Sequence, residues 1–328
     1  VTNAMAQYQQ DRDHREPLFE FKRRALVHFA VDTEQVFMTT RLAGGATHFL
    51  PFNKGLDGGA GNPPDSAGRA YRTAYLWEEV WQRDSLLDIF ARFMHLQVEE
   101  KRTDDGRKIK KETMIFPRYH QLRAVRELED AARTEGPGHN YLVEHSAGSG
   151  KSNTIAWLAH RLASLHDAAE RKVFDSVIVI TDRRVLDRQL QDTIYQFEHR
   201  QGVVQKIDED SRQLAEALTN SVPIIISTLQ KFPFVARQLA RMAEARGEDA
   251  DGVLPTRRCA VIIDEAHSSQ SGETATDLKE VLGGHVLREE AARYAADEGV
   301  ENVDELYRSM AKRGRQANLS FFAFTATP

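Results

Sequence analysis

The chain is short of several things at once. It holds one cysteine, Cys259, among 328 residues. A single thiol excludes an intramolecular disulfide framework and fits a reducing, cytoplasmic setting. Its neighbours Ala260, Val261, Ile262 and Ile263 are apolar, so Cys259 is expected in the core rather than in chemistry. No apolar run approaches the roughly 18 residues of a membrane span, and no signal peptide is visible, so no membrane partner is expected. Neither sign of charge dominates: 44 Lys and Arg stand against 49 Asp and Glu, a net charge of -5. Global charge therefore announces no nucleic-acid partner, and any basic surface must be local. No internal repeat is present. The chain opens on Val1 rather than Met and closes on Pro328 directly after an apolar run, so both ends are expected to be cuts from a longer protein.

What is there suffices for one large or two modest cores, at 41% hydrophobic residues. Three zones are expected: residues 1–98, 99–112 and 113–328. In the first, Leu26–Val31, Gln35–Thr40 and Thr47–Leu50 are strand candidates rich in Val, Phe and Thr. Asn53 to Ala70, dense in Gly, Pro, Asn and Asp, predicts a long loop. Tyr75 to Val98 carries apolar residues at helical spacing. The second zone interleaves Lys101, Arg102, Arg107, Lys108, Lys110 and Lys111 with acids. A solvated linker is the preferred reading of it, a DNA-binding strip the other. In the third zone apolar strands alternate with helical patterns: Tyr141–Val143, Val177–Thr181, Pro223–Ser227, Ala260–Asp264 and Leu319–Phe324. Near-continuous apolar strands separated by helices predict an α/β class with a doubly wound parallel sheet. Ligands of such sheets sit beyond the carboxyl ends of the strands.

The chemistry-bearing residues fall at those ends. Tyr141-Leu142-Val143 feeds Ala147-Gly148-Ser149-Gly150-Lys151-Ser152-Asn153, which opens a helical run from Ile155 to Leu162. Backbone N–H groups freed by small residues can wrap a β-phosphate, and the helix start adds positive potential. Lys151 can reach the β/γ oxygens, and the Ser152 hydroxyl can ligate Mg²⁺. The pattern has one defect, His145 where the phosphate-loop motif carries Gly. A plain Gly-rich turn is the alternative for the motif alone.

A second strand ends in Asp264-Glu265-Ala266-His267. Asp264 can hold the Mg²⁺ shell that Ser152 touches, and Glu265 can polarise a water in line with the γ-phosphate of ATP. Adjacent acids repel, so the pair makes most sense with a cation nearby. Before the loop, Phe116-Pro117-Arg118-Tyr119-His120-Gln121 opens another helix, and the Gln121 amide complements the N6/N7 edge of adenine. Arg183, Thr228 and Lys231 follow two further strands, and Thr325 ends the last. Such mixtures hold phosphodiester backbones, although surface ion pairing would account equally for the Arg-rich helix after Thr181. Asp11 or Asp13 with Glu20-Phe21-Lys22 has the spacing of a nuclease metal site.

Gln121, Ala147 to Ser152, Asp264 to His267 and Thr325-Ala326-Thr327 together resemble the first RecA-like domain of a superfamily 2 helicase or translocase of the DEAH-box type. More narrowly, Ile115 to Gln121, His145 to Ser152, Thr181-Asp182-Arg183-Arg184 and Asp264 to Gln270 resemble the restriction (R, HsdR-type) subunit of type I restriction-modification enzymes. Such phosphate loops often lack the first Gly. Gln7-Tyr8, Pro17-Leu18-Phe19, Leu26 to Asp32 and Phe49 to Asn53 look like the segment joining that subunit's nuclease to its motor. The resemblance implies an ATP- and Mg²⁺-dependent translocase of duplex DNA that is also an endonuclease, working with methyltransferase (M) and specificity (S) subunits. It implies that Arg183, Thr228, Lys231 and Thr325 contact the DNA backbone or couple to it. It also implies that the nuclease core lies before Val1 and a second RecA-like domain after Pro328, and that residues 1–98 are the end of a nuclease domain, which disfavours Glu20-Phe21-Lys22 as the nuclease site.

Overall fold

The computed structural model describes the chain except residues 66–67, 103–107, 147, 182–183, 198–201, 209, 247–256, 266–275, 284–292, 294–315 and 327–328. The chain divides into two compact units, Val1–Ala124 and Val125–Pro328.

The first unit opens with helix α1 (Thr2–Ala6). Strands β1 (His28–Val31), β2 (Val36–Thr39) and the two-residue β3 (Leu50–Pro51) form an antiparallel sheet in that order. The expected third strand over Thr47–Leu50 is thus displaced, because Thr47 serves the preceding turn. Its hydroxyl donates to the Gly44 carbonyl at 2.7 Å and accepts the Ala43 N–H at 2.8 Å. Phe52, fully buried, packs edge-on to Phe29 and Tyr119.

The helical pattern over Tyr75–Val98 breaks into two pieces, Leu76–Val80 and α2 (Arg83–Arg92). The break lies at Gln82, whose backbone is extended and whose side-chain amide donates to the Trp77 carbonyl at 2.7 Å. Val98 is not helical. It belongs to β4 (His95–Arg102), which pairs antiparallel with β5 (Lys108–Ile115). The charged segment expected as a linker is therefore mostly a hairpin. Its register sets Glu99 opposite Lys111 and Glu100 opposite Lys110. Opposite charges directly across a ladder stabilise by about 0.2–1 kcal/mol per pair, so interleaved signs suit paired strands. Helix α3 (Tyr119–Glu135) runs from the end of this unit into the next.

The second unit contains a six-stranded sheet. Its elements in chain order are β6 (Asn140–Glu144), α4 (Lys151–Ala163), β7 (Ser176–Thr181), α5 (Arg184–Gln196), β8 (Val204–Lys206), α6 (Ser211–Thr219), β9 (Ile224–Thr228), α7 (Phe232–Arg246), β10 (Cys259–Ile263) and β11 (Leu319–Thr325). The spatial order is β6-β11-β10-β7-β9-β8, and every pairing is parallel. The five predicted strands are all present within a residue or two of their expected bounds. β8 is the additional one, too short at three residues to show a pattern.

The side-chain period of two divides the sheet's apolar residues between its faces. Ile178, Ile180, Ile225, Val261, Ile263 and Ala323 pack with α6, α7 and the helical residues 278–282. Val177, Val179, Ala260, Ile262 and Phe322 occupy the other face, on the side of α4 and α5. α4 buries nine of its residues from Thr154 to Ala163, as a helix in the middle of a layered core must. Cys259 is buried at the start of β10, where burial pushes its thiol up to about 12. Core placement is therefore correct for it. No helix is long and apolar enough to cross a membrane among the described residues.

Two local features generate stability predictions. Gly138 enters β6 at φ +97, and a Cβ there would lie 3.0 Å from the Ala317 carbonyl oxygen. Gly138→Ala is expected to lower unfolding free energy by about 1–3 kcal/mol in urea denaturation. On the opposite side of the unit, the buried Arg161 of α4 donates to the buried Glu129 of α3, which also accepts from Arg133 at 2.8 Å. Glu129→Ala takes the shared carboxylate from both arginines and should cost about 3–5 kcal/mol, whereas Arg161→Ala leaves Glu129 its bond to Arg133 and should cost less.

Candidate nucleotide site

β6 ends at Glu144, and residues 145–150 turn the chain into α4. Gly148 and Gly150 sit at φ +75 and +86, in the left-handed region that disfavours a Cβ. Nothing lies within 4 Å of a Cβ built at Gly148, so conformation alone requires glycine there. Gly150 is the residue from which α4 starts, and its carbonyl accepts the Asn153 and Thr154 N–H groups at 3.1 and 3.3 Å. Lys151, Ser152 and Asn153 therefore form the first turn of a helix, where partial positive charge collects. Ser149 is buried, while Ser152 and Asn153 are half-buried. Ala147 lies outside the described residues.

His145, the departure from the phosphate-loop pattern, is buried. Its backbone N–H donates to the Thr325 carbonyl at 2.9 Å, and its ring lies 6.4 Å from that of Phe324. It continues the β6–β11 ladder by one residue and packs against the neighbouring strand. Glycine is needed further along the loop, at Gly148 and Gly150.

The acidic pair follows β10. The Asp264 N–H donates to the Ile180 carbonyl of β7 at 3.1 Å, which ties the strand end to its neighbour. Glu265 then adopts φ +53, unusual for a residue with a Cβ, and its N–H donates to the Asp264 carboxylate at 3.0 Å. Burial raises the Asp264 carboxyl above its ordinary 3.8, and the charge of Glu265 raises it further; Lys151 and the Glu265 N–H pull the other way without cancelling this. The Glu265 carboxylate lies 2.5 Å from the Lys151 ammonium. Lys151, Asp264 and Glu265, proposed from the sequence as one constellation, are thus brought together. Ala266 and His267 lie outside the described residues.

The remaining strand ends share this edge of the sheet. Thr228 ends β9 opposite Thr181 of β7, and Thr325 ends β11 opposite Glu144. Thr325 is buried and Thr228 half-buried. The Lys231 ammonium donates to the Ile207 carbonyl at 2.5 Å, closing the turn after β9 onto the residue beyond β8. Arg183 lies outside the described residues. In the first unit, Gln121 is buried and its amide oxygen accepts the Arg118 N–H at 2.9 Å, so that oxygen secures the start of α3.

Asp13, Glu20 and Lys22, which carry the nuclease-like spacing, are each engaged in an ion pair. Glu20 pairs with Arg23 at 3.3 Å, Lys22 with Glu112 at 2.5 Å and Asp13 with Arg15 at 3.1 Å. No cluster of His, Cys, Asp and Glu able to hold a metal occurs among the described residues. Sequence reasoning missed the contact between Lys151 and Glu265, which are 114 residues apart. The signal for it was that both follow the carboxyl ends of strands in a parallel sheet.

Known proteins similar to this chain include restriction subunits and helicases. A type I restriction enzyme endonuclease subunit of Staphylococcus aureus is 30% identical over 49% of this chain and 15% of its own length. The endonuclease subunit of the type I restriction enzyme HindI of Haemophilus influenzae is 30% identical over 60% of this chain and 17% of its length. The chain thus spans less than a quarter of each of these relatives. The expected likeness to type I restriction subunits is present. Among solved structures, the UvsW helicase of bacteriophage T4 matches with a TM-score of 0.37 and 13% identity, over 74% of this chain and 60% of that one. The model of the SWI2/SNF2 ATPases matches residues 120–328, well over half of the sequence, and the chain belongs to that family.

Proposed function

We propose that this chain is the ATP-binding motor portion of a type I restriction endonuclease R subunit, which in the whole enzyme translocates duplex DNA at the expense of ATP before cleavage. One observation carries the reading: at a single edge of the sheet, the glycine loop before α4 delivers Lys151 to the acidic pair that follows β10. The names of the relatives favour a restriction subunit over another superfamily 2 remodeller. M and S subunits are the proposed partners, and the cytoplasm is the proposed setting.

In this reading the backbone of residues 147–150 and the first turn of α4 cradle the phosphates, and Lys151 neutralises the β/γ oxygens. Arg118 and Gln121 are assigned to the adenine. The donor set suits Mg²⁺: Asp264 and Ser152 offer carboxylate and hydroxyl oxygens, and the buried charge of Asp264 is costly unless a cation offsets it. Bound Mg²⁺ would supply charge neutralisation at the phosphates. Glu265 would accept a proton from the attacking water. Arg183, Thr228, Lys231 and Thr325 are assigned to the DNA backbone. A role for Lys231 requires its ammonium to exchange the Ile207 carbonyl for a phosphate.

Two measurements test the reading. Saturating Mg-ATP should raise the melting temperature; at a hundredfold excess over Kd, ligand linkage is worth about 2.7 kcal/mol. Lys151→Ala should remove that shift, and an unchanged ATP affinity by calorimetry would withdraw the cradle assignment. The second concerns Asp264. Folding raises its carboxyl, so the fold favours the protonated form. The resulting penalty is absent well below the ordinary 3.8 and grows as pH rises through the raised value. Asp264→Asn keeps an oxygen for the Glu265 N–H while deleting the charge. It should melt about 2–4 °C higher than the parent at pH 7, should show no gain below the ordinary range, and should lose the Mg²⁺-dependent part of ATP stabilisation.

A further inference from the structure

Lys151 is 12% exposed and Glu265 30% exposed, and their charged ends are in direct contact. An ammonium that far from solvent requires a counter-charge. Glu265 supplies it from a left-handed backbone conformation, held by its own N–H on Asp264. The two groups that an incoming nucleotide needs are therefore engaged with each other. An ammonium bonded to a carboxylate is a poorer ligand for phosphate, and a carboxylate bonded to an ammonium is a poorer base.

We propose that the Lys151–Glu265 pair is a resting latch: a nucleotide must take Lys151 away from Glu265, and only that transfer frees Glu265 to act on water. The latch rests on the nucleotide-cradle reading above and adds regulation to the same site. It links occupancy to competence, since the base stays neutralised while the phosphates are absent. It also sets a demand for a cation. Asp264 stands directly before Glu265, with its carboxylate on the Glu265 N–H. Once Lys151 turns to the phosphates, Asp264 and Glu265 face them with less compensation, so the latch opposes metal-free nucleotide most strongly.

ADP tests this without turnover, so slow hydrolysis cannot imitate tight binding. Its dissociation constant is measured by calorimetry, with Mg²⁺ and with EDTA, for the parent chain, Glu265→Gln, Glu265→Ala and Lys151→Ala. Melting curves recorded alongside show that each variant is folded. Both Glu265 variants should bind ADP about three- to tenfold more tightly than the parent in EDTA, with a smaller gap in Mg²⁺. Equal or weaker binding by both variants, with Lys151→Ala still losing ADP, overturns the latch and leaves the cradle standing. ADP affinity that does not change on Lys151→Ala removes the cradle, and the latch falls with it.

Discussion

The constraint on which the rest depends is the parallel register of β6, β11 and β10. Phe324 lies opposite Val143, and Ala323 lies opposite both Leu142 and Ile263. These strands come from distant parts of the sequence, yet β6 and β11 end level at Glu144 and Thr325, and β10 ends two residues earlier, so that Asp264 and Glu265 follow it at the same edge. A slip of one residue in any of them would turn every side chain to the other face and bury the wrong set. The two apolar faces of the sheet forbid that slip, because Val261 and Ile263 pack on one side and Ala260 and Ile262 are buried on the other. Core packing thus sets the distance between Lys151 and Glu265 indirectly, through strand ends held in register by hydrophobic alternation.

What could be read from residue order follows from the same physics. Central strands covered on both faces are written as runs such as Ser176–Thr181 and Cys259–Ile263, which have no polar interruption and few other meanings. The glycines at 148 and 150 were legible because their φ values admit little else. The segment from β4 to β5 was not legible. Its alternation is carried by charges of both signs, and a charged strand looks like a charged linker until its partner is known. Gln121 was legible as a marked position but not in its whole task. A helix-opening amide can face a base or serve its own backbone, and its oxygen here accepts the Arg118 N–H.

The acidic pair shows a site arranged against the stability of the fold that carries it. Asp264 is buried beside a second carboxylate, and Glu265 holds a backbone angle that a residue with a Cβ rarely adopts. Either feature alone is a modest penalty, and both lie at the end of a strand whose other residues are all buried and apolar. Strain of this kind persists only where the surroundings over-determine it. Here the Asp264 N–H is bonded to β7, and the Glu265 side chain is bonded to α4. Two neighbouring elements thus hold the turn in place.

That arrangement explains why His145 is tolerated where a glycine is usual. Phosphate loops require glycine where φ is positive or where a backbone must approach closely. His145 has neither demand. Its N–H extends the ladder to Thr325, and its ring fills space beside Phe324. His145 thus lengthens the strand pairing by one position. The conformational burden then falls on residues 148–150, immediately before Lys151. With one end of the loop secured to β11 and the other leading into α4, the ammonium has little choice of partner. It meets the carboxylate that follows β10, and in the proposed function an anion displaces it.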